Sequence, residues 1–396
     1  MSRLLLFALL LSGLAPAATA DSQLSGYLAG EWRGFLQSPL DDVQHGDNSS
    51  LSMQVEYYRD WEDGKQSFIF TPFLRIDGHD QQRSHFDIRE LNWTTVGDDW
   101  ELTVGVGKVF WGVTESQHLV DIINQTDLIE STDGEEKLGQ PLVRLGLVRD
   151  WGSLDLFILP GFRERTFPSR NARLRSAVPV DVSNSEYEDS RGRDHIDAAI
   201  RWFNTFGDWD VGLSHFSGTS REPDFRAALD GAGRAVLIPV YKTIDQTGLD
   251  VQATKGDWLW KLELISRSGQ GDRFTAATGG FEYTLYGIFE SSADLGLIAE
   301  YLYDDRGDAA STPFADDLFL GARLAMNDEA SSELLAGTIV DLQNQSRVFS
   351  IEASRRFGDN WKLNLEGRFF SNIDENDALA SFRNDDFLQL ELAWYF

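Results

Sequence analysis

A chain of 396 residues with a formal charge of -29 and no cysteine repels nucleic-acid phosphates, and it can build neither a disulfide framework nor a thiolate metal centre. Aromatic residues make up 12 % of it, including 12 tryptophans, more than an acidic disordered chain carries, so it folds. Beyond Leu14 no apolar run approaches the about 18 residues that mark a spanning helix, so any passage through a membrane must use a closed barrel, the other structure that satisfies all its backbone groups in lipid.

In chain order, Met1-Ser2-Arg3 leads into an apolar stretch from Leu4 to Leu14 and then Ala18-Thr19-Ala20, the small-x-small pattern of a signal-peptidase site. Residues 1–20 are therefore expected to be an export signal and 21–396 a single folded unit. Strand-length segments follow at about 22–36, 49–60, 65–77, 83–96, 100–111, 142–150, 153–162, 193–206, 208–218, 236–255, 257–268, 273–288, 293–304, 315–326, 331–342, 346–357, 360–371 and 386–396. The fold class predicted is all-β, an antiparallel up-and-down barrel of about 18 strands, with 16 as the alternative.

Short turns alternate with long polar loops, and the short turns share a chemistry. Trp61-Glu62-Asp63-Gly64, Gly97-Asp98-Asp99-Trp100, Trp151-Gly152-Ser153, Gly207-Asp208-Trp209, Gly256-Asp257-Trp258 and Gly358-Asp359-Asn360-Trp361 combine left-handed turn formers with a tryptophan suited to a membrane interface. Within the strands the period is two. Trp361, Leu363, Leu365 and Phe369 alternate with Lys362, Asn364, Glu366 and Arg368, and Trp258, Trp260, Leu262 and Leu264 with Lys261, Glu263 and Arg267, so one face is apolar and the other polar. On the polar face, Arg33, Arg75, Arg144, Arg201, Lys261, Arg323 and Arg368 are expected among Glu31, Glu56, Glu101, Glu263, Glu300, Glu366 and Glu391.

The last strand alternates Leu388, Leu390, Leu392, Trp394 and Phe396 with Gln389, Glu391, Ala393 and Tyr395, and the chain stops on the phenylalanine. This resembles the C-terminal signal of Gram-negative outer-membrane β-barrel proteins of porin type, which the barrel-assembly machinery reads, with Trp394 and Phe396 as its core. The resemblance implies a water-filled pore in the cell outer membrane, short periplasmic turns, longer surface loops, contact with lipid and lipopolysaccharide, and a monomer or a homotrimer. The expected function is passive diffusion of small hydrophilic solutes. The alternatives are a structural or adhesive barrel without transport activity, and an outer-membrane hydrolase.

Two loops stand out as pore elements. The first, 112–141, follows the fifth strand, as the constriction loop of general porins does, and is expected either to fold inward and narrow the pore or to stay outside as a loop capped by a short helix. It is acidic, with Glu115, Asp121, Asp127 and Glu130 as the leading candidates, and Leu119, Ile122, Ile123 and Leu128 lie at near-helical spacing. The second, 163–192, carries Arg163, Arg165, Arg170, Arg173 and Arg175, with Arg191 and Arg193 around its end, and their guanidinium forks suit carboxylates or phosphates. Set opposite the acidic loop it would create a transverse field; otherwise its arginines pair with Glu164, Glu186, Glu188 and Asp189 or contact lipopolysaccharide. Acidic loops at Asp304, Asp305 and Asp308, and at Asp374, Glu375 and Asp377, lack EF-hand spacing and read as solvated. His118 lies near Ser116 and Glu115, yet no nucleophile elbow surrounds them and no His pair has metal-ligand spacing. Neither catalysis nor a cofactor is implied.

Overall fold

The computed structural model describes residues 22–375 and 377–396, so the proposed export signal and the start at Asp21 lie outside the described residues. Strands β1 (Ser22–Phe35), β2 (Asp47–Trp61), β3 (Gln66–Asp77), β4 (His85–Val96), β5 (Trp100–Gly107), β6 (Gln140–Arg149) and β7 (Gly152–Pro160) form the first part of the wall. After a short β8 (Glu186–Tyr187) come β9 (Ile196–Phe206) and β10 (Trp209–Thr219), then a hairpin of β11 (Asp224–Leu229) and β12 (Ala235–Tyr241). The wall resumes with β13 (Thr243–Lys255), β14 (Trp258–Ser268), β15 (Phe274–Leu285), β16 (Asp294–Asp304) and β17 (Asp316–Ala325). It ends with β18 (Glu333–Asp341), β19 (Arg347–Phe357), β20 (Trp361–Ser371) and β21 (Phe387–Tyr395).

Excluding β8, β11 and β12, these strands form one 18-stranded antiparallel sheet, closed where β1 pairs with β21 from Tyr27 opposite Tyr395 to Phe35 opposite Phe387. Closure leaves no open edge. The predicted strand at 236–255 is two strands. The chain leaves one sheet for another at Lys242: β12 joins β11 and β8 in a separate three-stranded sheet, and only β13 belongs to the barrel. The Val-Leu-Ile content of 236–241 predicts extended backbone equally well in either sheet.

The period of two places the side chains. In β1, Leu24, Leu28 and Trp32 are exposed outward while Ala29, Glu31 and Arg33 are buried inward, and in β21 Leu388, Leu390, Leu392 and Trp394 face out. Trp93, Trp100, Trp151, Trp209, Trp258, Trp361 and Trp394 are exposed near the turn end of the wall. An outer surface carrying this much exposed apolar area is built to be covered by something apolar.

Inside, one sector of the wall is apolar too. Leu142, Phe157, Leu159, Phe216, Ile244, Ile265 and Phe274 point inward and bury Trp111, Val120, Ile122 and Ile123 of the segment that follows β5. That segment contains no helix. Its near-helical apolar spacing reflects a surface fitted to the wall, with turns held by side chains instead of a helical ladder.

Candidate functional site

Residues 108–139 leave β5, cross the lumen and return to β6. Asn124 ties the two ends together: its amide donates to Gly107 O at 2.8 Å and Leu138 O at 2.9 Å, and its carbonyl oxygen accepts from Val109 N at 2.8 Å. Asp121 Oδ1 accepts from Trp111 N and Gly112 N at 2.6 and 2.9 Å. Burial, the largest influence, raises the Asp121 carboxyl above its ordinary value against these donors.

Two wall carboxylates replace the missing helical hydrogen bonds. Glu263 of β14, fully buried, accepts from Val113 N at 2.7 Å, Thr114 N at 3.0 Å, the Thr114 hydroxyl at 2.7 Å and Val120 N at 3.1 Å. Glu300 of β16 accepts from Glu115 N and Ser116 N, both at 2.8 Å, and from the Ser116 hydroxyl at 2.6 Å. The lumenal direction of Glu263 and Glu300 was legible in the alternation, but their role as acceptors for a distant loop was not. The available signal is at Glu300, which sits between inward Ile298 and Leu302, whereas Glu263 shares its face with Lys261 and Arg267 and carries no such signal. A lone carboxylate on an apolar strip implies a polar surface laid over it.

Of the acidic candidates, Glu115 reaches Arg323 Nη2 at 2.5 Å and Lys261 Nζ at 3.7 Å. Asp127, with no exposed surface, pairs with Arg89 at 2.7 Å and accepts from the Thr166 hydroxyl at 2.7 Å. Glu130 pairs with Arg75 at 2.9 Å, and Arg75 in turn meets Glu31 at 3.1 Å. Asp133 accepts from Arg368 of β20 at 2.8 Å, so the hairpin tip reaches the far wall.

The arginine segment lies beside the acidic loop, not across the lumen from it. Thr166 pairs in parallel with Asp127, and Arg163 donates to Gly139 O at 2.9 Å and to Asp87 at 2.7 Å. Arg165 Nε donates to Gln125 Oε1 at 3.2 Å. Farther on, Arg173 pairs with Asp385 at 2.6 Å and Arg175 with Asp41 at 2.8 Å, which binds this segment to the loops flanking the β1–β21 seam. Arg170 contributes its carbonyl, which accepts from Arg175 Nε at 2.9 Å. The expected acidic partners meet the later arginines of the segment: Glu164 takes Arg193 at 2.8 Å and Asp189 takes Arg191 at 3.1 Å, while Glu186 takes Arg226 at 2.5 Å instead. Three arginines are thus neutralised by wall and rim carboxylates, which sequence spacing could not pair with them.

His118 and Ser116 are not a catalytic pair. The Ser116 hydroxyl is committed to Glu300, while His118 Nε2 lies 3.0 Å from Glu135 and its Nδ1 lies 3.7 Å from Glu263. Burial opposes its charge, but the two carboxylates win and lift the imidazole to about 10. Among the described residues no three His, Asp or Glu side chains converge as a metal set would.

Among the described residues the loops border two sizeable water-accessible spaces. A chamber of about 500 Å³ toward the turn end is lined by Glu31, Arg75, Glu130, Arg323, Glu352 and Glu391 among others. A vestibule of about 230 Å³ toward the loop end is lined by Lys137, Arg165, Arg221, Glu222 and Arg267 among others. Asp133 and Glu135 at the hairpin tip border both.

No family model and no curated protein matches the chain. Among solved structures it is similar to a BenF-like porin from Pseudomonas fluorescens Pf-5, at 12 % identity over 95 % of this chain and 98 % of that one, with a TM-score of 0.54. A loop-deletion mutant of OmpT, an outer membrane protein of Vibrio cholerae, aligns at 10 % identity over 96 % of this chain and 100 % of its own, with a TM-score of 0.49. A mutant of the Rh. blastica porin aligns at 11 % identity over 95 % and 100 %, with a TM-score of 0.46. The first of these carries the comparison, and at its identity it establishes the fold: a closed antiparallel barrel of porin type.

Proposed function

We propose that this barrel is an outer-membrane channel for passive diffusion of small hydrophilic solutes, with residues 108–139 as its constriction. The observation that carries the reading is the hairpin tip. Asp133 and Glu135 stand between a polar chamber and a polar vestibule, and around Val120 and Ile123 the same segment packs against an apolar sector of the wall. A barrel serving only as a scaffold or adhesin has no need of charged spaces on both sides of such a tip. Radius and lining charge at a narrow point set selectivity in pores of this kind.

The exposed outer face suits bilayer lipid, its tryptophans suit the headgroup level, and the rim arginines and carboxylates suit lipopolysaccharide. Trp394 and Phe396 supply the assembly signal. A homotrimer would cover part of the same apolar belt. Planar-bilayer recording of the refolded mature chain tests the proposal: stepwise conductance in KCl, together with liposome swelling by small sugars, is expected. A tight bilayer after verified insertion would replace the channel reading with the structural or adhesive one.

A further inference from the structure

We infer that the vestibule contains a subsite for an oxyanionic group, carboxylate or phosphate, formed by Lys137, Thr126 and Arg165; this deepens the channel reading and rests on it. Three extended segments carry these residues. Thr126 pairs antiparallel with Lys137, and Asp127 pairs in parallel with Thr166, which sets Arg165 beside Thr126. Neighbours across paired extended segments project to one side. Asp127 and Thr166 project the other way, toward Arg89 of the wall. The row Lys137, Thr126, Arg165 therefore faces the vestibule, and all three line it.

The charge inventory of that space singles out the same residues. Arg221 is consumed by Asp197 at 2.7 Å and by Ile123 O at 2.8 Å. Arg267 and Glu222 satisfy each other at 3.1 Å, Glu135 holds His118, Asp133 holds Arg368, and Asp121 accepts backbone N–H groups. Lys137 remains. Its residue is 6 % exposed, yet its ammonium makes neither a hydrogen bond nor an ion pair with a described residue. Arg165 uses only Nε on Gln125, which leaves both terminal nitrogens of its fork without a protein partner.

A lysine whose ammonium opens into the vestibule and a half-used guanidinium on one short row, with the Thr126 hydroxyl between them, form a donor set whose free members no described protein acceptor touches directly, although Asp121, Asp133, Glu135 and Glu222 lie near enough to act on its charges. Burial is the main cause that lowers both cations from their ordinary values, and Arg165 itself adds to the effect at Lys137, while Asp121 and Glu135 oppose it there. An oxyanion in the row would relieve both causes. The planar fork of Arg165 matches two oxygens of one carboxylate or phosphate.

The test uses the refolded mature chain in planar bilayers, with succinate or inorganic phosphate added on the loop side and current normalised to each protein's own KCl value. Concentration-dependent reduction of current by at least one anion is expected, and the anion that acts identifies which oxyanion the row prefers. The half-blocking concentration should rise at least about tenfold in Lys137→Gln and Arg165→Gln, rise less in Thr126→Ala, and stay near wild type in Lys137→Arg. Heat-modifiable migration confirms that each variant is folded. Calorimetric titration of the detergent-solubilised barrel with the same two anions reads the subsite without current. Equal affinity in wild type and Lys137→Gln, or no binding of either anion, overturns the subsite even if KCl current is normal. Absent KCl current with intact, Lys137-dependent binding overturns the channel reading and leaves the subsite standing.

Discussion

Gly26 and Phe396 exchange backbone hydrogen bonds in both directions at 3.1 Å, and so complete the ring one residue beyond the last strand. Gly26 faces outward beside the terminal ring, and a Cβ there would run into Gln54 O and the Phe396 ring. The two residues thus fit as a small site and its filler. Removal of Phe396, or Gly26→Val, is expected to lower the yield of heat-modifiable barrel in isolated outer membranes several-fold while leaving total synthesis unchanged. Gly26→Ala should have a smaller effect of the same sign. Immunoblots of boiled and unboiled samples measure it.

Arg368 reaches from β20 to Asp133 across the space between wall and hairpin. It also touches Glu366 at 3.1 Å and Glu352 at 3.5 Å, so it is the cation of an otherwise carboxylate-lined stretch. The pair, 14 % and 20 % exposed at its two side chains, joins the tip to a wall strand that keeps its own pairing to β19 and β21, so the loss of this contact falls on the tip. Arg368→Gln is therefore expected to leave the barrel's thermal stability within a few degrees of wild type while freeing the tip and shifting reversal potential toward cations. Recording in a KCl gradient reads both, and an unchanged reversal potential would count against a tip placed at the narrowest point.

Glu263 has a different weight. It accepts the N–H groups of Val113, Thr114 and Val120 from inside an apolar sector, and Ala in its place leaves these donors buried without partners. Each such group costs about 1–3 kcal/mol. The loss falls on the loop, because the wall keeps its own strand pairing to β13 and β15. Glu263→Ala should thus open the 108–139 segment to protease in the folded barrel, raise conductance, and change the unfolding midpoint of the wall much less. Glu263→Gln, which keeps one acceptor oxygen, should lie between.

The contrast between wall and loop also explains what the sequence made legible. Alternation such as Lys261, Glu263 and Arg267 against Trp260, Leu262 and Leu264 is a local property of backbone geometry, so strands, faces and the 18-strand count follow from reading along the chain. The partners of Arg163, Arg173 and Arg175 are Asp87, Asp385 and Asp41, 76, 212 and 134 residues away in sequence and in direct contact in space. No local pattern encodes such pairs. The two lumenal bridges, Thr126 to Lys137 and Asp127 to Thr166, were illegible for the same reason. Residues 119–123 misled in the direction of a helix because a strip fitted to the wall and a helix face can share apolar spacing over one turn.

His118 links protonation to the tip. The Glu135 and Glu263 carboxylates raise it to about 10 against the opposing effect of burial, while an exposed imidazole titrates near about 6.5. Because the folded value is the higher one, the stabilisation is complete below about 6.5. It declines as pH rises from there and is lost above about 10. The Glu135 contact should therefore be firm at neutral pH and slack in alkali. Current noise from tip motion is expected to increase between pH 8 and about 10 in wild type. His118→Gln should show that noise already at neutral pH, with no further rise, and His118→Lys, which stays charged across most of this window, should remain quiet. A wild-type noise spectrum that is flat from pH 7 to about 10 would show that the His118 contact does not hold the tip.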